Sequence, residues 1–319
     1  MSNKPLLLLQ VADAAVYKAA LDRKGVGQAV DIETFQRGTP PPDSALARAD
    51  ILLAFDIPAG MLTKMPKLRF IQSQTVGVDG WLARGDLRPD LPLAAARGTH
   101  RVQMPENILG ALFHATKPYA AISADQKERK WMRRASDTLA GKTLGILGLG
   151  AIGAELARKA AALELTVIGT KRTVEPLPHV AKVYAPDSID EVLGRSHFVV
   201  LLLPATEATV NLMNATRLAG MRKDAWLLNF ARGALVVDED LIAAVKARTI
   251  AGAILDVFRT EPLPEQHPFW TTPGIHVLPH IGGMHPDRDQ MVAALFADNV
   301  TRVLNGETPS ELVDRKRGY

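Results

Sequence analysis

The feature that most constrains the fold of this chain is a glycine-rich segment near its middle, Gly148-Leu149-Gly150-Ala151-Ile152-Gly153. It directly follows a strand-length apolar run, residues 143–147, and opens a segment in which Leu156 and Ala160 lie on one helical face. In a dinucleotide-binding fold the first glycine permits a tight turn, the second lets backbone approach a pyrophosphate, and the third lets helix pack on strand. The motif, including Ala151 and Ile152 at the helix start, therefore predicts a dinucleotide site.

Short apolar runs alternate with helix-length segments on both sides of this motif, which predicts parallel βαβ units. The expected strands are residues 6–11, 51–55, 68–71, 143–147, 165–169, 182–184, 198–203, 226–230 and 250–257. The run 198–203 is apolar without alternation, as in a strand covered on both faces. Two helical patterns run from 105 to about 134, and another from 287 to 304. We therefore expect an α/β fold with doubly wound parallel sheets.

Composition narrows the class of protein. The 319 residues suffice for two domains, and 47% hydrophobic residues exclude a disordered chain. The 38 Lys and Arg exceed the 34 Asp and Glu by only four, so neither a nucleic-acid nor a membrane surface is expected. The chain has no cysteine, which excludes thiol chemistry, and no metal site is expected. No targeting or spanning segment is evident, and a cytoplasmic location is expected.

The residues after the expected strand 165–169, the next strand after the glycine-rich segment, indicate which dinucleotide is bound. NAD sites usually carry a carboxylate about 20 residues into the motif, where it binds the ribose 2′-hydroxyl. Here that place holds Thr170-Lys171-Arg172, without a carboxylate. Two cations beside a hydroxyl suit a 2′-phosphate, so we expect NADP in preference to NAD.

Three segments that follow later strands carry groups suited to hydride chemistry, which needs a proton donor for an oxygen and a cation for a carboxylate. They are Asn229-Phe230-Ala231-Arg232-Gly233, Asp256-Val257-Phe258-Arg259-Thr260-Glu261-Pro262-Leu263-Pro264, and Leu278-Pro279-His280-Ile281-Gly282-Gly283. The carboxyl ends of parallel strands are where open α/β sheets bind ligands. Arginine, glutamate and histidine are thus expected to meet there.

With these three segments and the glycine turn in this order, the chain resembles the D-isomer-specific 2-hydroxyacid dehydrogenase family over essentially its full length. The resemblance implies that Arg232 binds substrate, that His280 is the acid/base, and that Glu261 is its carboxylate partner. A planar guanidinium can bind a 2-oxo acid through two oxygens, and an anionic glutamate stabilises a protonated imidazole.

The resemblance also implies the remaining contacts. Asp256 would lie near the nicotinamide, and Pro204, Ala231 and Gly282 would also contact the cofactor. The loop Gln74-Thr75-Val76-Gly77-Val78-Asp79 would hold the substrate carboxylate, with Val76 and Gly77 as its contacts.

The same resemblance implies the domain arrangement and the assembly. A Rossmann-type cofactor domain, residues 99–285, would be inserted in a flavodoxin-like substrate domain made of residues 1–98 and 286–319. A homodimer is expected, with the helices of residues 105–134 in contact. One departure concerns the helix entering the cofactor domain, where Glu106 is followed by Asn107 instead of the family's common histidine.

The resulting prediction is NAD(P)H-dependent reduction of a small 2-oxo acid, of glyoxylate or hydroxypyruvate type, to the D-2-hydroxy acid. Two alternatives stay open: a cofactor-sensing, corepressor-like binding protein, and oxidation of phosphite or formate on the same scaffold.

Overall fold

The chain divides into two structural units in the computed structural model, which describes residues 4–318. Residues up to His100 and from His285 onward form the first, called here the terminal unit, and Arg101–Met284 form the second, the central unit. Within residues 4–318, no helix is both long and apolar enough to cross a membrane.

The terminal unit begins with short strands and helices that alternate along the chain. They are β1 (Leu6–Gln10), α1 (Ala14–Arg23), β2 (Asp31–Phe35), α2 (Asp43–Leu46), β3 (Ala49–Ala54), β4 (Phe70–Ser73), α3 (Asp79–Leu82) and β5 (Leu93–Ala94). The five strands are parallel and lie in the order β2-β1-β3-β4-β5. This is the order of a flavodoxin-like sheet.

The central unit continues the same alternation. Its elements are α4 (Gln103–Thr116), α5 (Tyr119–Lys127), β6 (Thr143–Leu147), α6 (Ala151–Ala161), β7 (Thr166–Thr170), β8 (Lys182–Tyr184), α7 (Ile189–Arg195), β9 (Phe198–Leu201), α8 (Ala215–Ala219), β10 (Trp226–Asn229), α9 (Asp238–Lys246), β11 (Gly252–Leu255) and β12 (Ile275–Val277). The remaining helix, α10 (Arg288–Leu304), belongs to the terminal unit.

The sheet of the central unit is parallel throughout, with the order β12-β11-β10-β9-β6-β7-β8. The strand order reverses between β6 and β9, because the chain leaves β6 toward β7 on one side and later adds β9 on the other. Ligands of doubly wound sheets bind outside the carboxyl ends of the strands at such a reversal. The glycine-rich segment directly follows β6 at this point.

Both sheets are covered by apolar side chains on both faces, which explains why their strands are apolar without alternation. In β1, Leu7 and Leu9 pack with Tyr17 of α1 and Phe296 of α10, whereas Leu8 packs in the cluster on the opposite face. In the central unit, consecutive residues of β9 and β10 likewise belong to different clusters. The predicted α/β class with doubly wound parallel sheets is confirmed.

Three strands were not among those expected. The edge strand β2 contains polar residues and is only partly buried, β5 has two residues, and the edge strand β12 has three. Short or half-exposed strands lack the continuous apolar run by which central strands are recognised. These three segments form strands because each pairs with a neighbouring strand of its sheet.

The helical pattern expected to reach residue 134 was too long, because α5 ends at Lys127. Arg129 adopts the left-handed conformation with φ 56°. The N–H of Lys130 donates to the carbonyl of Asp125 at 2.9 Å, and that of Arg129 to Gln126 at 3.1 Å. These bonds form a Schellman motif, whose usual glycine signal is absent here because arginine takes the left-handed position.

Candidate active site

The three glycines of the turn after β6 have different surroundings. Gly148 has φ 112°, and a Cβ atom there would lie 2.7 Å from the Leu202 carbonyl oxygen. A Cβ on Gly153 would lie 2.5 Å from the Gly148 carbonyl oxygen. A Cβ on Gly150 would meet no heavy atom of the described residues within 4 Å. The first and third glycines are therefore required by the fold, and the second leaves open space of the kind that a pyrophosphate can fill.

Helix α6 begins at this turn, with the Ala154 N–H donating to the Gly150 carbonyl at 2.8 Å. Because the first N–H groups of a helix have no intrahelical acceptor, the residues at its start, Ala151 and Ile152, present backbone donors suited to a phosphate. Ala151 is exposed and Ile152 is half-buried. The predicted cofactor residues of the turn thus lie on a surface that fits a dinucleotide.

The predicted 2′-phosphate residues lie beside this turn. Thr170 is buried at the end of β7, and its carbonyl accepts the Leu149 N–H at 2.9 Å. Lys171 is half-buried and pairs with the carboxylate of Glu175. Arg172 is exposed. The Leu149–Thr170 hydrogen bond therefore holds the two predicted cofactor segments together.

The other predicted cofactor residues follow four neighbouring strands of the same sheet. Pro204 follows β9, Ala231 follows β10, Asp256 directly follows β11, and Gly282 follows β12. All four are in the central unit. They lie beyond the carboxyl ends of their strands, which is the ligand-binding edge of such a sheet.

His280 and Glu261, two of the predicted catalytic residues, are in direct side-chain contact. The distance from His280 Nδ1 to Glu261 Oε2 is 2.6 Å, and the other carboxylate oxygen of Glu261 accepts the Phe258 N–H at 2.8 Å. Since a carboxylate accepts hydrogen bonds, the pairing assigns a proton to Nδ1 and leaves Nε2 for a substrate. The His280 side chain is 52% exposed, so this nitrogen can be reached.

Arg232 lies in a loop shaped by its neighbours after β10. The buried Asn229 accepts the Ala231 N–H at 3.1 Å through Oδ1 and donates to the Arg232 carbonyl at 2.9 Å through Nδ2. A Cβ on Gly233 would lie 1.9 Å from the carbonyl carbon of Phe258. Glycine at 233 therefore lets the loop of Arg232 contact the backbone that also binds Glu261.

A second contact joins these two loops through Arg259. Its Nε donates to the Val236 carbonyl at 2.9 Å, its guanidinium also contacts Asn211, and it lies 3.5 Å from the Asp238 carboxylate. Burial raises the pKa of Asp238, and the charge of Arg259 opposes that rise. Arg259 lies inside a motif noted in the sequence, but nothing in the local pattern indicated this role.

Asp256 contacts the turn that carries His280. The residue is only 1% exposed, and its two carboxylate oxygens accept the N–H groups of Ile281 at 2.7 Å and Gly282 at 2.8 Å. Burial raises the pKa of this carboxyl, and the two backbone hydrogen bonds oppose the rise. A Cβ on Gly282 would lie 2.6 Å from Asp256 Oδ2. The observed contacts of both residues are with the turn, and their expected contacts with a nicotinamide stay a prediction.

The predicted carboxylate-binding loop belongs to the terminal unit and follows β4. Thr75 shapes it, since its hydroxyl donates to the Gly77 carbonyl at 2.6 Å and its N–H donates to Ser73 Oγ at 3.1 Å. Within the described chain, the N–H groups of Val76 and Gly77 donate to no protein acceptor. Such backbone donors are suited to an anion.

Comparison with known proteins agrees with this geometry. The sequence profile of the D-isomer specific 2-hydroxyacid dehydrogenase NAD binding domain matches residues 109–282. Glyoxylate/hydroxypyruvate reductase A of Yersinia enterocolitica is 30% identical over 298 residues, which cover 91% of this chain and 92% of that protein. Glyoxylate reductase of Thermofilum pendens is 31% identical over 281 residues, 83% of this chain and 80% of that protein.

Two solved structures are similar over nearly the whole chain. A D-isomer specific 2-hydroxyacid dehydrogenase from Xanthobacter autotrophicus, in complex with NADPH and MES, has a TM-score of 0.86 and 30% identity and covers 100% of both chains. An NADPH-dependent glyoxylate/hydroxypyruvate reductase from Sinorhizobium meliloti, in complex with NADP and sulfate, has a TM-score of 0.85 and 26% identity, and covers 99% of this chain and 100% of its own. The resemblance inferred from the motifs is confirmed, and the chain belongs to the D-isomer specific 2-hydroxyacid dehydrogenase family of NAD(P)-dependent oxidoreductases.

Proposed function

We propose that the protein reduces a small 2-oxo acid, of glyoxylate or hydroxypyruvate type, to the D-2-hydroxy acid with NAD(P)H. The observation that carries the proposal is the 2.6 Å pair of His280 and Glu261, in the same unit as Arg232 and the glycine turn. The relatives named as glyoxylate/hydroxypyruvate reductases support the substrate class. We place the reaction in the cytoplasm, as the sequence predicts.

The residues divide the work as follows. A bound reduced nicotinamide supplies the hydride for the carbonyl carbon of the substrate. Arg232 orients the substrate through its carboxylate and carbonyl oxygens. His280 donates the proton on Nε2 to the carbonyl oxygen as negative charge develops there. Glu261 holds the ring through its hydrogen bond with Nδ1.

The preference for NADP over NAD is part of the proposal. It is supported by the end of β7, where Thr170, Lys171 and Arg172 stand in place of a carboxylate. It is also supported by the similar structures that contain NADPH or NADP. Arg172→Asp should shift the ratio of kcat/KM for NADPH to that for NADH toward NADH. Lys223→Asp, at an exposed site before β10, is the control, and an unchanged ratio in the Arg172 variant would contradict the assignment.

The experiment that tests the function is an assay of a panel of 2-oxo acids with NADPH and NADH. His280→Gln should lower kcat about 100-fold or more, because general acid catalysis is lost, while NADPH binding stays close to wild type. His114→Gln, at an exposed site of α4, is the matched control. Retained turnover in the His280 variant would refute the proposed acid.

The two alternatives have their own signatures in the same assay. Tight NADPH binding without turnover of any 2-oxo acid would support the cofactor-sensing role instead. Oxidation of phosphite or formate at a rate independent of His280 would support the other enzyme class, since formate oxidation has no alcohol oxygen to protonate or deprotonate.

A homodimer is the assembly we propose. The support is a run of exposed apolar side chains that begins just before α4 and continues on α4, on α5 and in the segment after α5, with Trp131 90% exposed. The other members are Val102, Phe113, Tyr119, Ile122 and Met132. Exposed apolar residues concentrated in one stretch are typical of an interface. Light scattering should give the dimer mass for the wild type and a smaller mass for Trp131→Glu, and a monomeric wild type would contradict the proposal.

A further inference from the structure

The backbone of the two residues that follow His280 is hydrogen-bonded by side chains at both its N–H and its C=O groups. Asp256 accepts the N–H groups of Ile281 and Gly282. On the other side, Nδ2 of Asn107 donates to the carbonyl of Ile281 at 3.1 Å and to that of Gly282 at 3.1 Å. The backbone N–H and C=O groups of two successive residues are thus bound by one carboxylate and one carboxamide.

Asn107 is delivered to this turn by a well-anchored helix. Its neighbours Ile108, Ala111 and Leu112 in α4 are buried in one apolar cluster with strands of the central sheet. Gln103, one helical turn earlier, donates to Asn107 Oδ1 at 3.5 Å, a weak contact that favours the same orientation of the Asn107 amide. The orientation of the amide follows from its partners, because only the NH₂ group can donate to two carbonyl oxygens.

The turn needs these hydrogen bonds because of the backbone conformation of His280. Its φ is 53°, in the left-handed region. That region costs an L-residue other than glycine about 1–2 kcal/mol, so it persists only where the surroundings impose it. Two glycines, Gly282 and Gly283, follow after Ile281 and would let a released turn change conformation. The 2.6 Å contact of His280 with Glu261 depends on the conformation that is held.

We propose that Asn107 is a positioning residue for the proton transfer by His280. It acts through the carbonyl groups of Ile281 and Gly282, opposite Asp256, and does not touch the substrate. The proposal rests on the proposed function, because it assigns His280 the role of acid. It also gives a role to the position at which the sequence departs from the family's common histidine.

The test is Asn107→Ala, which removes both donors and keeps a good helix former. We expect kcat with glyoxylate and NADPH to fall about 10- to 100-fold, as small misplacements of catalytic groups do. The pH profile of kcat should also shift, while the dissociation constant of NADPH stays within about twofold of wild type, because the glycine turn is unaffected. Backbone amide exchange at Ile281 and Gly282 should be faster. Asn305→Ala, at an exposed position directly after α10 in the terminal unit, is the matched control and should change none of these.

A second variant covers the case in which Asn107→Ala is poorly folded. Asn107→Asp keeps the size but turns a carboxylate toward two carbonyl oxygens, and it should lower kcat at least as much. A wild-type kcat and pH profile in a folded variant overturns the proposal. The proposal is also overturned if kcat falls only in proportion to the fraction of protein that is unfolded.

The readouts also separate this proposal from the proposed function. If the wild type reduces no 2-oxo acid, the proposed function fails. The ¹⁵N shifts of the His280 imidazole, compared between wild type and Asn107→Ala, then decide whether Asn107 holds the ring against Glu261, and unchanged shifts overturn the inference.

Discussion

Alanine at Gly150 and at Gly153 should separate cofactor binding from folding within one turn. At Gly153 the added Cβ would lie 2.5 Å from a backbone oxygen, so strand and helix must move apart. Overpacking of this kind costs about 1–3 kcal/mol. For a unit of this size each kcal/mol lowers Tm by about 2–4 °C, so Gly153→Ala should lose about 2–12 °C.

At Gly150 the same substitution meets no described atom within 4 Å, and φ is −82°, which alanine adopts without strain. The change in folding free energy should stay within about 1 kcal/mol of zero, since a poorer N-cap residue offsets the reduced freedom of the unfolded chain. The added methyl group would instead occupy the space left for the pyrophosphate. We expect the dissociation constant of NADPH to rise about tenfold or more, which corresponds to about 1.4 kcal/mol.

The assays are NADPH fluorescence titration and thermal unfolding with and without NADPH. At a concentration 100 times the dissociation constant, ligand stabilises the wild type by about 2.7 kcal/mol, and most of that gain should be lost in Gly150→Ala. Gly194→Ala in α7 is the control, because its Cβ would make only an ordinary contact at 3.6 Å. The reasoning is refuted if Gly150→Ala binds NADPH like wild type, or if it lowers Tm as much as Gly153→Ala.

Three further predictions test the surroundings of the site. Glu261→Gln keeps an acceptor for the Phe258 N–H but removes the charge beside His280, so kcat should fall about 100-fold in steady-state assays, and a wild-type kcat would contradict the pairing. Arg259→Leu should lower the free energy of unfolding, measured in urea, by about 1–2 kcal/mol. It should also lower kcat, because the loops of Arg232 and Glu261 lose a shared contact. Unchanged values of both quantities would exclude this role of Arg259. Burial lowers the pKa of His197 below 6.5, and Nδ1 of His197 accepts the Thr143 N–H. The neutral ring therefore stabilises the folded state above pH 6.5, and this stabilisation is lost as the pH falls through the folded-state pKa. The urea midpoint should therefore fall more steeply on acidification in the wild type than in His197→Asn, and parallel curves would contradict this sign.

Much of the site was predictable because its signals are local. The glycine turn is recognisable within six consecutive residues. A tight turn, a close approach of the backbone to a ligand and a close contact between helix and strand each require glycine at a particular position. The strands β6, β9 and β10 were predictable because a strand buried on both faces is apolar throughout. Arg232, Glu261 and His280 could be proposed as catalytic residues because each lies in a motif that follows a predicted strand.

Other features depend on residues that are far apart in the chain and were decided only by the tertiary structure. The left-handed arginine that ends α5 and the pairing of the short edge strands have no strong local pattern. Asn107 binds carbonyl groups about 175 residues away, and Gly233 is required by the backbone at Phe258. A sequence shows that an asparagine can donate two hydrogen bonds or that a glycine has no side chain. Which acceptors and which backbone lie beside them is set by how helix and strands pack, because that packing alone brings such distant groups within contact distance.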